Sequence, residues 1–225
     1  MRPYNPPSDP LLDVVYSDAH LLVLDKPSGL LSVPGRDPAH KDSLALRAQQ
    51  EYPQALIVHR LDMDTSGLVV MALGAEVHRQ LSALFQNRKV EKSYLARVWG
   101  EPAQHEGEVD LPLICDWPNR PRQKVCFESG KPSLTRWQKL DSDGHTSLLQ
   151  LTPVTGRSHQ LRVHMQALGH PILGDPFYAQ PEARAAASRL LLHAQELGFE
   201  HPVLEKEMHF LCNPGEDFLE LSRET

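Results

Sequence analysis

Between Gly67 and Leu73 the chain reads GLVVMAL, an unbroken apolar run. A strand with one wet face alternates apolar and polar residues, so this run predicts a strand covered on both sides. The residues before it, HRLDMDTS at 59–66, set a histidine, an arginine and two aspartates at the mouth of that strand. Charge drawn out of water costs free energy unless it is paired or used. The junction is therefore the first place to look for chemistry.

Elsewhere the patterning favours strands joined by hairpins. LLDVVYSDAHLLVLDKP reads as two strands around the turn SDAH. Asp42 is placed to cap a helix running to about Gln50, and ALIVH is a short strand leading into the charged motif. From Glu76 to Arg88, the residues Val77, Leu81, Leu84 and Phe85 fall on one helical face. VEKSYLARVWG is a strand in which Lys92 and Tyr94 share a side, which sets the tyrosine beside a cation. PLICDWPNRPRQKVCFESGKP, full of turn residues, reads as a long loop or an irregular hairpin, and LTRWQKL with TSLLQLTPV as a regular one. TGRSHQLRVHMQALGHP predicts a turn, an N-cap at Ser158, a helix to Leu168 and a stop at Gly169. Leu161, Met165 and Leu168 would be its buried stripe, with Arg162 on a neighbouring face beside His159 and Gln166. RLLLHAQEL and EMHFLC close the chain as strands. Hairpins in place of strand–helix alternation exclude a doubly wound parallel sheet. The expected class is α+β, a largely antiparallel mixed sheet flanked by helices and loops, and 225 residues fit a single domain over 1–225.

The three cysteines, Cys115, Cys126 and Cys212, are far apart and unpaired in spacing, as in a reduced, cytoplasmic protein. The start MRPYNPPSDP has neither a basic nor an apolar leader segment, and no apolar run reaches the length of a membrane span, so no membrane role is expected. No heptad or long exposed apolar stripe stands out, so a monomer is expected. A net charge of -6 argues weakly against a nucleic-acid partner, but its distribution is uneven. Acids crowd the ends, Asp9 to Asp25 early and Glu200 to Glu224 late. Basic clusters occupy the middle: Arg79, Arg88, Lys89 and Lys92, then Arg120, Arg122 and Lys124, then Arg157 and Arg162. Screening confines charge effects to about 8 Å at physiological salt, so a local basic face can bind a polyanion on an acidic protein.

Asp62 is the first chemical candidate. It serves equally as a turn former ahead of TSG or as a rigidly held, partly desolvated nucleophile or base. Asp64, two residues on, keeps open a two-carboxylate glycosidase reading. The 12 histidines show no ligand pair on one helical face, so a metal site is not expected, and no glycine-rich loop points to a nucleotide cofactor.

HRLDMDTSGL, KSYLARVWG, TGRSHQLRVHM with GHPILGD and YA, and RLLLHA occur in one order that resembles the RluA family of pseudouridine synthases. DKPSGLLSVPGR and DLPLICDWPNRPRQKV extend the resemblance over about residues 4 to 212. It implies the pseudouridine synthase fold, isomerisation of uridine in RNA with no cofactor, and Asp62 as the catalytic acid, with Asp64 at a variable position. Arg60 would fill or prop the space that the target base leaves in its stack, and His59 would bind substrate beside it. Tyr94 matches the active-site tyrosine, Arg162 the arginine that pairs with the aspartate, and Leu192 the apolar wall of the pocket. Lys92, Arg157, Arg120, Arg122 and Lys124 would hold RNA phosphates, joined by Arg79, Arg88 and Lys89. The implied substrates are bacterial 23S rRNA and a tRNA anticodon stem-loop. The short, acidic start predicts no N-terminal RNA-binding domain of S4 type.

Overall fold

A computed structural model describes residues 4–218; Glu220 and Glu224 of the acidic C-terminal run lie outside them. The strands are β1 (Asp13–Ser17), β2 (Leu21–Lys26), β3 (Ala55–Ile57), β4 (Ser66–Leu73), β5 (Glu91–Trp99) and β6 (Glu106–Asp110). They continue with β7 (Leu113–Cys115), β8 (Gln123–Val125), β9 (Leu134–Ser142), β10 (Thr146–Pro153), β11 (Leu192–Glu200) and β12 (Glu207–Leu211). The helices are α1 (Leu44–Glu51), α2 (Ala75–Gln86), α3 (Gln160–Ala167) and α4 (Pro181–Ala185).

The chain gathers into two compact units, one running up to Lys92 and taking in Ala194–Asn213, the other holding Ser93–His193 and the chain from Pro214. β5 and β11 each pass from one unit into the other.

In the first unit β2 pairs antiparallel with β1 and β4, β3 pairs with β4, and β12 with β11. Ser66 through Ala72 of β4 are all buried, as the apolar run predicts. Leu68, Val70 and Ala72 pack with Leu21 and Val23, with Val77 and Leu81 of α2, and with Leu197, Phe199 and Phe210. Val69 and Met71, on the opposite face of β4, are fully buried as well. Each large side chain so buried contributes roughly 1.5–3 kcal/mol, enough to draw the charged motif along with the strand it precedes.

In the second unit the strand order is β5–β10–β9–β6, and β7 and β8 form a separate small hairpin. The core here joins Leu95, Ala96 and Val98 of β5 to Trp137, Leu149 and Leu151 of β9 and β10, and to Leu161 and Met165 of α3.

Three local expectations change. The cap of α1 is Ser43, whose hydroxyl accepts from the Leu46 amide, not Asp42. Asp42 instead receives the fork of Arg47, Nε at 2.8 Å and Nη2 at 2.6 Å, a charge-assisted pairing stronger than a neutral cap. α3 starts one residue later than a Ser158 cap would give: its cap is His159, in the left-handed conformation at φ 54° with no side-chain cap bond. The turn before it is held by Gln160, whose Oε1 accepts from the Thr155 hydroxyl and the Arg157 amide while Nε2 donates to the Leu134 carbonyl and Thr135. The buried face of α3 is wider than the stripe of Leu161, Met165 and Leu168 and takes in Arg162. Arg162 is buried along with every residue from Gln160 to Met165, while Gln166 is exposed.

Candidate active site

In the first unit the motif forms the loop between β3 and β4. Its side chains are polar, yet its backbone is held from beneath by the loop after β2. The Ser32 hydroxyl donates to the Leu61 carbonyl at 2.7 Å and accepts from the Leu61 amide at 3.1 Å. Ser28 Oγ donates to the Asp64 carbonyl at 2.7 Å, and the Gly29 amide to the Met63 carbonyl at 2.9 Å. Lys26 completes the clamp, its Nζ donating to the carbonyls of Leu30, Pro27 and Met63 at 2.7, 2.9 and 3.0 Å. The carbonyls of Leu61, Met63 and Asp64 are thereby fixed on either side of Asp62. A partly buried carboxylate on a loop pinned in this way cannot wander, which is what a reacting group requires.

Lys26 is fully buried. Burial pulls its ammonium down to about 7, while the carboxylates of Asp64, Asp62 and Asp25 oppose that shift. Sequence reasoning passed over this residue. The signal was present in strand alternation, since Lys26 shares its side of β2 with the buried Leu22 and Leu24. Asp64 is buried where Asp62 is only partly so. With its carbonyl held by Ser28 and its charge toward Lys26, Asp64 belongs to the foundation of the loop.

His59 anchors the start of the same loop. Its Nε2 accepts from the Val70 amide at 3.1 Å, and its ring stacks on Phe85 with centroids 4.4 Å apart. Burial and, secondarily, the charge of Lys92 push its pKa down to about 3, so the imidazole stays neutral, with its proton on Nδ1. Lys92 Nζ lies 6.0 Å from the centroid of the same Phe85 ring, and desolvation lowers its own pKa. Arg60 is exposed next to His59. Of the further basic residues, Arg79 is bound to Glu76 at 2.6 Å on α2, whereas Arg88 and Lys89 are exposed at the turn that follows it.

In the second unit, α3 carries Arg162, 1% exposed, against Asp175, 0% exposed. Nε and Nη2 donate to the two carboxylate oxygens at 2.8 and 2.7 Å. Asp175 also accepts from the amides of Phe177 and Tyr178, so one carboxylate sets both the arginine and the turn that covers it. The guanidinium carbon lies 5.3 Å from the Phe177 ring centroid and 5.2 Å from that of Tyr178. His159 Nδ1 is 2.6 Å from the Tyr178 hydroxyl, which accepts from the Gln123 amide of β8 at 2.8 Å, tying the small hairpin to α3. A planar cation held by such a fork is fixed in orientation as a lysine would not be.

Tyr94 is partly buried on β5 opposite Leu151 and packs on the core that includes Leu192, 3% exposed. Arg157 is exposed, its Nε donating to the Pro132 carbonyl at 3.3 Å. Arg120, Arg122 and Lys124 are exposed on the hairpin. Asp62, Arg60 and His59 thus share one loop of the first unit with Lys92 near its Phe85 prop, whereas in the second Tyr94 and Leu192 share the larger core and Arg162 lies against Phe177 and Tyr178. Asp175 had no assignment in the sequence reading, although it stands in GHPILGD.

An RNA pseudouridylate synthase family model matches residues 20–167, a span that contains the pinned loop, Tyr94 and Arg162. The chain belongs to the RNA pseudouridylate synthase family. This synthase is 58% identical over 211 residues to the dual-specificity RNA pseudouridine synthase RluA of Escherichia coli K12, covering 93% of this chain and 96% of that protein. It is 59% identical over 201 residues to the protein of the same name from Yersinia pestis, covering 88% and 97%. Among solved structures it resembles human RNA pseudouridylate synthase domain containing 1, with a TM-score of 0.78 at 28% identity over 93% of this chain and 86% of that one. Human RNA pseudouridylate synthase domain containing 4 gives 0.75 at 28% identity over 93% and 91%. The fold is that of the pseudouridine synthases, α+β as expected, and the protein is an isomerase that makes pseudouridine.

Proposed function

We propose that this synthase modifies uridines in bacterial 23S rRNA and in a tRNA anticodon stem-loop, with Asp62, Tyr94 and Arg162 serving one reaction and the whole chain acting as one catalytic domain. The observation that carries this reading is the clamp under Asp62: three side-chain bonds, from Lys26, Ser28 and Ser32, hold the carbonyls of Met63, Asp64 and Leu61 around one carboxylate. The 58% identity to a dual-specificity relative supports the choice of RNA.

The reaction breaks the bond from N1 of uracil to C1′ of ribose, turns the base, joins C5 to C1′ and passes the C5 proton to solvent while N1 regains one. Nothing is oxidised and no group is brought in, so the chemistry calls for no nucleotide or metal. Asp62 acts on the sugar as a carboxylate, and Arg162, oriented by Asp175, serves the same reaction. The ring of Tyr94 stacks on the displaced uracil, and Leu192 contributes to the apolar wall. A uridine within a helix is out of reach and must be extruded, at a cost of a few kcal/mol that is smallest in loops. Arg60 and His59 stand at the edge from which it leaves. Lys92, Arg157, Arg120, Arg122 and Lys124 contact phosphate, so binding weakens steeply with salt.

We place the protein in the cytoplasm as a monomer. Among the described residues no helix is long and apolar enough to cross a membrane. Pseudouridine mapping in rRNA and tRNA of cells with and without the gene tests the substrate assignment. The expected result is loss of at least one site in 23S rRNA and one in a tRNA anticodon arm. Unchanged maps in both RNAs would refute it.

A further inference from the structure

Among the described large hydrophobic side chains that are exposed, only Trp117 and Phe127 exceed 60%, at 65% and 77%. Both belong to the β7–β8 hairpin region. Tryptophan and phenylalanine are among the more buried residue types in folded proteins, so two on one small hairpin mark a surface made for contact.

The hairpin is built to present them. Leu113 is buried with Val125, Val163, Phe177 and Tyr178, which seats its base. Leu113 and Lys131 exchange backbone hydrogen bonds at 2.8 and 3.0 Å. Gly130 closes the far side, where a Cβ would come within 2.2 Å of the Cys126 carbonyl oxygen. At the tip, Trp117–Asn119 form a single 3-10 turn fastened by Asp116, which accepts from the Asn119 amide side chain at 2.8 Å.

Charge at the tip selects the partner. Residues 113–125 hold Arg120, Arg122 and Lys124 against a lone acid, Asp116, on a chain whose net charge is -6. The Arg120 guanidinium carbon lies over Trp117, 3.1 Å from the ring centroid, so one face of the indole carries a cation. An apolar protein partner gains nothing from Arg120, Arg122 and Lys124 beside it, whereas a nucleobase with its phosphates uses both the ring and the charge. Arg122 lies 5.8 Å from the Phe177 ring, the same ring that Arg162 approaches at 5.3 Å, so the hairpin adjoins the buried arginine of α3.

We propose that an unpaired base of the RNA, distinct from the target uridine, stacks on the face of Trp117 opposite Arg120. The hairpin then grips the single-stranded loop by one base and its flanking phosphates. This rests on the RNA substrate class proposed above and adds to it a contact that reads unpaired structure.

Intrinsic fluorescence tests it. Of the three tryptophans, Trp117 is the exposed one, Trp99 and Trp137 being partly or fully buried. Titration with unmodified transcripts of tRNA and of 23S rRNA should quench the emission, and Trp117→Ala should abolish that quench. Trp117→Ala should also weaken binding about tenfold, the size of one base–aromatic stack, and leave the slope of affinity against salt unchanged, since no charge is removed. Trp117→Tyr should recover most of the affinity. Unaltered RNA affinity in Trp117→Ala, or a quench that survives it, would overturn the inference and assign the exposed aromatics to another class of partner. Pseudouridine formation by the wild type, followed in the same tubes, reports separately on the parent reading.

Discussion

A buried arginine needs a partner more than a surface one does, and Asp175 meets that need for Arg162 through two hydrogen bonds at 2.8 and 2.7 Å. Removing one member of a fully buried ion pair takes away charge on which the other relies, at a typical cost of 3–5 kcal/mol. Asp175→Asn keeps the shape and the hydrogen-bonding capacity but not the charge, so about 3 kcal/mol of stability should be lost. Urea unfolding checks this as a lower midpoint with an unchanged slope; a midpoint within a few tenths of a molar of the wild type would count against it. The pairing was not legible in the sequence. Asp175 lies 13 positions beyond Arg162, past the end of α3, and helical spacing speaks only to neighbours three or four apart. Asp62 was legible as a candidate because charge before an apolar run is conspicuous, yet local sequence left it level with a turn former. The clamp that fixes the backbone on either side of it comes from Lys26, Ser28 and Ser32, some 30 residues earlier in the chain.

At the scale of elements, β4 is where strand packing and the site meet. Gly67, one residue into the strand, has φ 110°, and a Cβ there would fall 2.3 Å from the carbonyl oxygen of Ala194 in β11. Both the conformation and the space require glycine. Gly67→Ala should cost about 2 kcal/mol or more from strain and overpacking together, read as a fall in the thermal midpoint. Near-wild-type stability would mean that β11 does not press on β4 there. The buried strand, the amphipathic helix α2 and the regular β9–β10 hairpin were all readable from periodicity. β6 was not, because EGEVD buries only Val109, and a single apolar residue does not mark a strand. The N-cap of α3 was misplaced because its turn is stabilised by Gln160, a residue that sequence rules do not treat as a cap. The stretch 111–132 announced only its turns, and which of its side chains stay exposed depends on what packs under Leu113.

For the molecule as a whole, net charge misleads and distribution informs. An acidic chain that belongs to an RNA-modifying family keeps its cations in the middle of the sequence, on the hairpin, after α2 and ahead of α3. Two compact units divide the proposed catalytic residues, with Asp62 in one and Tyr94 and Arg162 in the other, and β5 and β11 run through both. Motif order across nearly the full length, more than any single motif, made the family legible. The most direct test of the account is release of tritium from C5 of labelled uridine in RNA, measured for the wild type and for Asp62→Ala at matched RNA occupancy. The account predicts release by the wild type and none above background by a folded, RNA-binding Asp62→Ala protein. Release by that variant at the wild-type rate would contradict it.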